Sequence, residues 1–220
     1  MPVQRIVVKN IITAKFSIVK RIDTVRGKVY NKRNMEPLPL HKLKERLFVL
    51  LEKEALKRGD FILSSGKKSS YYLDGRVITL TPEGAYLVGS IILELIKAGS
   101  IDAVGGPTLG ADPIVGAVAA LSHMRQIPLK TFIVRKAAKD HGTQRQVEGP
   151  ALARGSQVIL VDDVATTGKA LLEAKDAMDK LGINVVKAVV IVDRNEGARE
   201  NLAKCGLRLE SIFNIKEFGL

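Results

Sequence analysis

Residues 158–169 constrain the fold more than any other stretch of this chain. Val158-Ile159-Leu160-Val161 is an unbroken apolar run, which predicts a strand buried on both faces of a parallel sheet. Asp162 and Asp163 follow at its carboxyl end, then Val164-Ala165-Thr166-Thr167-Gly168-Lys169. Beyond them Ala170-Leu171-Leu172, Ala174, Ala177-Met178 and Leu181 recur at helical spacing. The order is strand, acidic pair, small polar loop, helix. In open α/β sheets ligands bind outside the carboxyl ends of the strands. The free amides of the loop and the positive end of the helix favour a phosphate there. Asp162 and Asp163 repel a phosphate. They suit the other end of a sugar phosphate, where vicinal hydroxyls need acceptors and a metal can sit. This is not a Walker A loop, because the position five before Gly168 is Asp163 rather than Gly.

The chain has 220 residues, enough for one α/β domain with a full core, and 46% of them are apolar. A single cysteine, Cys205, excludes an internal disulfide and fits a reducing, cytoplasmic compartment. No apolar run approaches the ~20 residues of a membrane span. The net charge of +12 is unevenly spread: residues 1–34 hold nine Lys/Arg and one acid, Asp23, and so carry +8 of it. This divides the chain into a basic extension, 1–34, expected to be poorly ordered, and a single domain, 35–220. A basic arm can bind nucleic acid or anionic lipid, but nothing in the remaining residues asks for such a partner.

Along the chain, Leu43, Leu47, Leu50-Leu51 and Leu56 predict an amphipathic helix ending near Gly59. Residues 61–76 read as two short strands joined by a Ser-Gly-Lys turn. Thr81-Pro82-Glu83 opens the next helix, with Thr81 as cap. Asp102 to Gly106 is a short strand, and Pro107 to Pro113 a loop whose amides could cradle an anion before an alanine-rich helix. Leu129 to Val134 is a strand running into a polar segment, 135–149, with no helical or strand period. Its cations are either a solvated charged loop or a site for an anion. Val185 to Val192 is another buried strand, ending at Asp193-Arg194. Arg194 is either a salt-bridged strand end or the partner of a carboxylate, which a planar guanidinium matches in bidentate fashion. Leu207 to Ile215 is a closing edge strand.

Four separated motifs resemble one family. Residues 158–169 resemble the phosphoribosyl-diphosphate motif of the type I phosphoribosyltransferases. Phe-x-Leu-x-Ser-Gly-x-x-Ser-x-Tyr-x-x-Asp-x-Arg, from Phe61 to Arg76, resembles the amino-terminal hood of the orotate phosphoribosyltransferases. Arg-Lys-x-x-Lys-x-His-Gly, from Arg135 to Gly142, resembles the catalytic loop of the same family, and Arg194 its base site. The resemblance covers residues 40–220. It implies a type I phosphoribosyltransferase fold, a mostly parallel sheet flanked by helices, with a small hood made from about residues 40–76 and the carboxyl-terminal end.

The same resemblance implies the activity: transfer of a phosphoribosyl group from 5-phosphoribosyl 1-diphosphate to orotate, a pentosyl transfer in pyrimidine (UMP) biosynthesis. Lys139, His141, Asp162 and Asp163 would be catalytic. The diphosphate substrate would lie on Arg135, Lys136, Lys139, His141, Asp162, Asp163, Val164, Ala165, Thr166, Thr167, Gly168, Lys169 and Ala170. Orotate would lie on Thr166, Arg194, Tyr71 and Tyr72. Mg²⁺ would be held mainly through the substrate, with Asp162 and Asp163 as the available protein ligands. The family implies a homodimer with shared sites and neither a membrane nor a nucleic-acid partner. A purine-type phosphoribosyltransferase, or a nucleotide-responsive regulator binding nucleic acid through its basic arm, would share the central motif.

Overall fold

A computed structural model describes residues 38–62, 68–97, 99–127, 129–136 and 146–220. The basic extension, the Ser-Gly-Lys turn of the hood, and Lys139 and His141 lie outside the described residues. The chain divides into compact units Met1–Leu38 and Pro39–Leu220, and the described strands and helices all belong to the second.

The apolar run of residue 158 onwards becomes strand β6, Gln157–Ala165, at the centre of a six-stranded sheet. Its side chains alternate between two cores. Ile159 and Val161 face one, with Val104, Val189 and Ile191, under helices α1 (Leu40–Leu50), α3 (Pro82–Ile96) and α4 (Ala111–Met124). Val158 and Leu160 face the other, with Ala188 and Val190, under α5 (Lys169–Lys180) and α6 (Ala198–Lys204). Both faces of the strand are therefore dry, which is why its sequence shows no polar alternation.

The remaining strands are β3 (Ala103–Pro107), β4 (Lys130–Val134), β5 (Val147–Glu148), β7 (Asn184–Asp193) and β8 (Arg208–Asn214). Their order is β5-β4-β3-β6-β7-β8, parallel throughout except for β5, which runs antiparallel to β4. The chain leaves β3 for β4 on one side, whereas β6 lies on the other side of β3. The loops after β3 and β6 therefore diverge, and a crevice opens between them at the carboxyl edge, the usual ligand position of such sheets.

Outside the main sheet, β1 (Leu56–Ile62) and β2 (Lys68–Leu73) form an antiparallel pair. Here the expected helix boundary is corrected. The helix does not run to Gly59: α1 stops at Leu50, one turn of π-helix follows over Leu51–Ala55, and Leu56 already belongs to β1. Pairing of Leu56, Lys57 and Arg58 with Leu73, Tyr72 and Tyr71 overrides the helical leucine period. Gly59 lies at the break in register between Arg58 and Phe61, so it marks a bulge, with φ 149°, rather than a helix stop. The cap on α3 is as expected, Thr81 accepting from the Gly84 amide. A short helix, α2, covers Arg76–Thr79. At the other end a 3-10 turn, Ile215–Phe218, closes onto the hood: Phe218 stacks on Phe48 at 4.5 Å, and Arg58 Nη2 donates to the Phe218 carbonyl at 2.8 Å.

Candidate active site

Strand β6 delivers Asp162 and Asp163 to the crevice, both only partly exposed. Each takes a hydrogen bond from the next backbone amide, Asp163 N to Asp162 Oδ1 at 3.0 Å and Val164 N to Asp163 Oδ1 at 2.9 Å. The two carboxylates lie against two glycines. A Cβ on Gly110, in the loop after β3, would overlap oxygens of both aspartates, and one on Gly75 would lie 2.7 Å from Asp163 Cβ. Side chains at 75 and 110 would fill the space the carboxylates use. Asp112, in the first turn of α4, adds a third negative charge facing Asp162, and its Oδ1 is buried with no hydrogen-bond partner among the described residues.

Burial, then the Asp163 charge beside it, pushes the Asp162 carboxyl well above the ordinary carboxylate range, and burial raises Asp163 as well. A raised carboxyl costs the fold stability as pH climbs from its unfolded pKa to the raised folded one, because over that window the unfolded chain sheds a proton that the folded one keeps. Asparagine mimics the neutral form and can still accept from Asp163 N. Ligand-free Asp162→Asn is therefore expected to melt above wild type at about neutral pH, with the gap closing as pH falls below the raised pKa. Each kcal/mol relieved should add roughly 2–4 °C to the Tm for a chain of this size. Thermal melts across pH check it; a gap that widens in acid would contradict it.

After the acidic pair β6 continues through Val164 and Ala165, and the chain then turns through Thr166-Thr167 to Gly168, whose φ of 77° begins α5. A side chain at Gly168 would also collide with Leu202 of α6, so two independent reasons require glycine there. No side chain caps α5, and its first-turn amides point towards the loop without intrahelical partners. Asn201 of α6 holds the Thr167 carbonyl at 3.0 Å, fixing the loop's shape. Thr166 is partly buried, while Thr167, Lys169 and Ala170 are exposed. The Lys169 ammonium lies 3.8 Å from Glu173 on the helix surface.

Arg194 follows β7 directly. Its backbone amide donates to the Ala165 carbonyl at 3.0 Å, which places it beside the acidic loop. The side chain is buried against the hood: Nε donates to the Tyr71 hydroxyl at 3.1 Å, lies 2.8 Å from Glu196 Oε1, and the guanidinium stands 4.6 Å over the Tyr71 ring. Burial holds the Tyr71 hydroxyl above its ordinary pKa, with Arg194 pulling the other way. Among the described residues neither Nη nitrogen makes a hydrogen bond, which leaves both as donors for a planar anion. Tyr71 and Tyr72 point to opposite faces of β2. Tyr72 is 39% exposed and packs on Phe61 at 5.8 Å, away from Arg194.

The segment after β4 is not free of strand structure throughout. Val134 pairs with Val147 and Ile133 with Glu148, and the Arg135 amide donates to the Gln146 carbonyl at 2.8 Å. Arg135 lies at the top of this stem, 3.7 Å from Glu148, and Lys136 is exposed. Residues unassigned from sequence also reach the crevice. Asp74 grips Arg76 through both oxygens at 2.9 Å, which holds its carboxyl below the ordinary range, and both charges are felt at Asp163. Asp74 and Arg76 were legible as part of the hood pattern. Glu196 and Asp112 carried no signal beyond lying near a motif.

A mostly parallel sheet, an acidic pair and an amide-lined loop at the switch point define the phosphoribosyltransferase class. In agreement, residues 78–220 match the phosphoribosyl transferase domain family. The chain is 47% identical over 177 residues to the orotate phosphoribosyltransferase of Aquifex aeolicus, covering 79% of this chain and 96% of that one. A solved structure of Mycobacterium tuberculosis orotate phosphoribosyltransferase in complex with 5-phospho-alpha-D-ribosyl 1-diphosphate matches with a TM-score of 0.68 and 34% identity, over 81% of this chain and 99% of that one. The chain belongs to the orotate phosphoribosyltransferase family. Adenine phosphoribosyltransferase of Saccharomyces cerevisiae, 18% identical with a TM-score of 0.56 over 79% of this chain and 99% of that one, shares the fold alone.

Proposed function

We propose that the chain carries out the reaction its family is named for, joining orotate to the ribose of 5-phosphoribosyl 1-diphosphate and releasing pyrophosphate. The observation that carries this reading is the pairing of an acid-plus-amide crevice with a guanidinium whose Nη nitrogens make no hydrogen bond among the described residues, linked by the Arg194 to Ala165 hydrogen bond. The loop 166–170 and the start of α5 take the 5′-phosphate. Asp162 and Asp163 accept from the ribose hydroxyls and stabilise the positive charge that grows on the sugar as its C1–O bond breaks. Arg194 takes the orotate carboxylate on its Nη edge, and Tyr71 walls the base. Arg135, Lys136, Lys139 and His141 neutralise the departing pyrophosphate.

Among the described residues no group of three or more acidic, His or Cys side chains could hold a metal. The hard carboxylates of Asp162 and Asp163 nonetheless fit Mg²⁺ as part of a shell completed by substrate oxygens, and such a cation would offset their crowding. When bound, it supplies charge neutralisation of the diphosphate.

The homodimer has its own support. Leu80, Leu109 and Val77 are 73%, 65% and 45% exposed. They rim a cavity of about 460 Å³ that reaches Asp74, Arg76 and Asp112. Bare apolar surface beside the crevice is what a subunit interface would cover, which supports the homodimer. No described helix is long and apolar enough to cross a membrane. We place the enzyme in the cytoplasm, a reducing compartment that suits its single cysteine, Cys205.

We also take 35–220 as the catalytic domain, so a protein beginning at Met35 is expected to keep its full kcat/KM and Tm. A large fall in either would make the basic extension part of the enzyme. The activity itself is tested by loss of orotate absorbance on adding 5-phosphoribosyl 1-diphosphate and Mg²⁺, with adenine, hypoxanthine and uracil as controls. Turnover of a purine instead of orotate would overturn the reading.

A further inference from the structure

Arg194 is flanked by two residues that are each tied down, and neither tie is needed to close the core. On one side Asp193, 1% exposed, accepts from the Asn195 amide at 3.0 Å and from Arg199 Nη2 at 3.2 Å. Arg199 is itself anchored to the Leu209 carbonyl of β8 at 2.9 Å. On the other side Asn195 adopts φ 55°, a left-handed conformation that asparagine tolerates better than most residues. Its side-chain amide is zipped to that of Asn214 by two reciprocal hydrogen bonds, 2.7 and 2.6 Å. Asn214 ends β8 and also takes the Lys216 amide at 3.0 Å. The far side of this network opens on a cavity of about 340 Å³ lined by Asp193, Asn195, Arg199, Glu200, Asn214 and Lys216, so the amide pair is wet rather than packed.

A parallel sheet needs no such link: β7 and β8 are already paired up to Asp193 and Asn214. What the link adds lies one residue beyond the ladder. It fixes the backbone on both sides of Arg194, where β7 has ended and the chain must turn sharply. A buried guanidinium on a long stem has many rotamers to lose. Clamping the backbone fixes where that stem starts, so no backbone freedom is left to lose when a ligand arrives.

We infer that Asn195 and Asn214, with Asp193 behind them, are positioning residues for Arg194 and so set the affinity for the carboxylate-bearing base. The inference rests on the proposed role of Arg194.

Asn195→Gly keeps the left-handed backbone but removes the amide. It is expected to raise the orotate KM about fivefold, the cost of modest hydrogen bonds, and to leave the KM for 5-phosphoribosyl 1-diphosphate unchanged. In an Arg194→Ala background the same change should have no further effect on the orotate KM, because the residue it positions is gone. Asn214→Gln keeps an amide that can both donate to Asn195 Oδ1 and accept from Asn195 Nδ2, so it should restore part of the orotate affinity that Asn214→Ala loses. This second pair decides the matter if the glycine variant does not fold. Equal rises in both KM values, an effect that persists without Arg194, or equal loss in the Gln and Ala variants would each overturn the positioning role. If Arg194→Ala itself leaves the orotate KM unmoved, the assignment of Arg194 fails and this inference falls with it. If Arg194→Ala acts and the tether variants do not, only this inference falls.

Discussion

Two inactive variants, unfolded and refolded together in equal amounts, are expected to regain about a quarter of wild-type activity. The variants are Lys139→Ala, which spoils the pyrophosphate loop, and Asp163→Asn, which spoils the ribose site. The expectation follows from a twofold dimer in which the loop of each subunit serves its partner. Lys139 lies outside the described residues, but its stem does not. The stem is two residue pairs long and is capped by Arg135 and Gln146, so the intervening polar segment starts from a fixed base at the sheet edge. Random pairing makes about half the dimers mixed, and in each mixed dimer one site receives both lesions and the other none. If the loop serves its own subunit, every site keeps one lesion. Mixed dimers that form but stay inactive would rule out the shared site, so heterodimer formation must be confirmed with tagged subunits.

Arg194→Ala should raise the orotate KM tenfold or more while changing the KM for 5-phosphoribosyl 1-diphosphate little. Only orotate carries the carboxylate. A charge-assisted hydrogen bond contributes about 1.5–3 kcal/mol, and about 1.4 kcal/mol is a factor of ten. Arg194 also has a folded-state role, since Glu196 and the Tyr71 hydroxyl lose their partner when it goes. Both are only partly buried, so the Tm should fall less than the orotate affinity implies. A parallel rise in both KM values would make Arg194 a structural residue.

The sheet and the acidic motif were readable because they are local. An apolar run at β6 needs no distant partner to announce itself, and the acidic pair, glycine and helix follow within a dozen residues. The start of β1 was not readable, because Leu56 continues the leucine period of α1 and only pairing with Leu73 makes it a strand. Strand β5 was hidden for a similar reason: two polar-flanked residues become a strand only against β4. The contact between Tyr71 and Arg194 spans the hood and β7, so nothing in either local stretch discloses it. The opposite facing of Tyr71 and Tyr72, by contrast, follows from strand alternation once β2 is accepted. Asn195 and Asn214 read as turn residues, and only the geometry joins them.

The aromatic stack between Phe48 and Phe218, with Phe213 edge-on at 5.9 Å to Phe218, has a consequence for synthesis. Phe48 belongs to the first helix of the domain to leave the ribosome, yet its ring partners Phe213 and Phe218 are made long after it. Leu43 and Leu47 can close early on α3, but the Phe48 ring waits for these partners while translation proceeds at about 5–20 residues per second. The aromatic seam of the hood therefore closes late, and a ribosome stalled before Phe213 emerges should carry a domain whose hood is still open to protease.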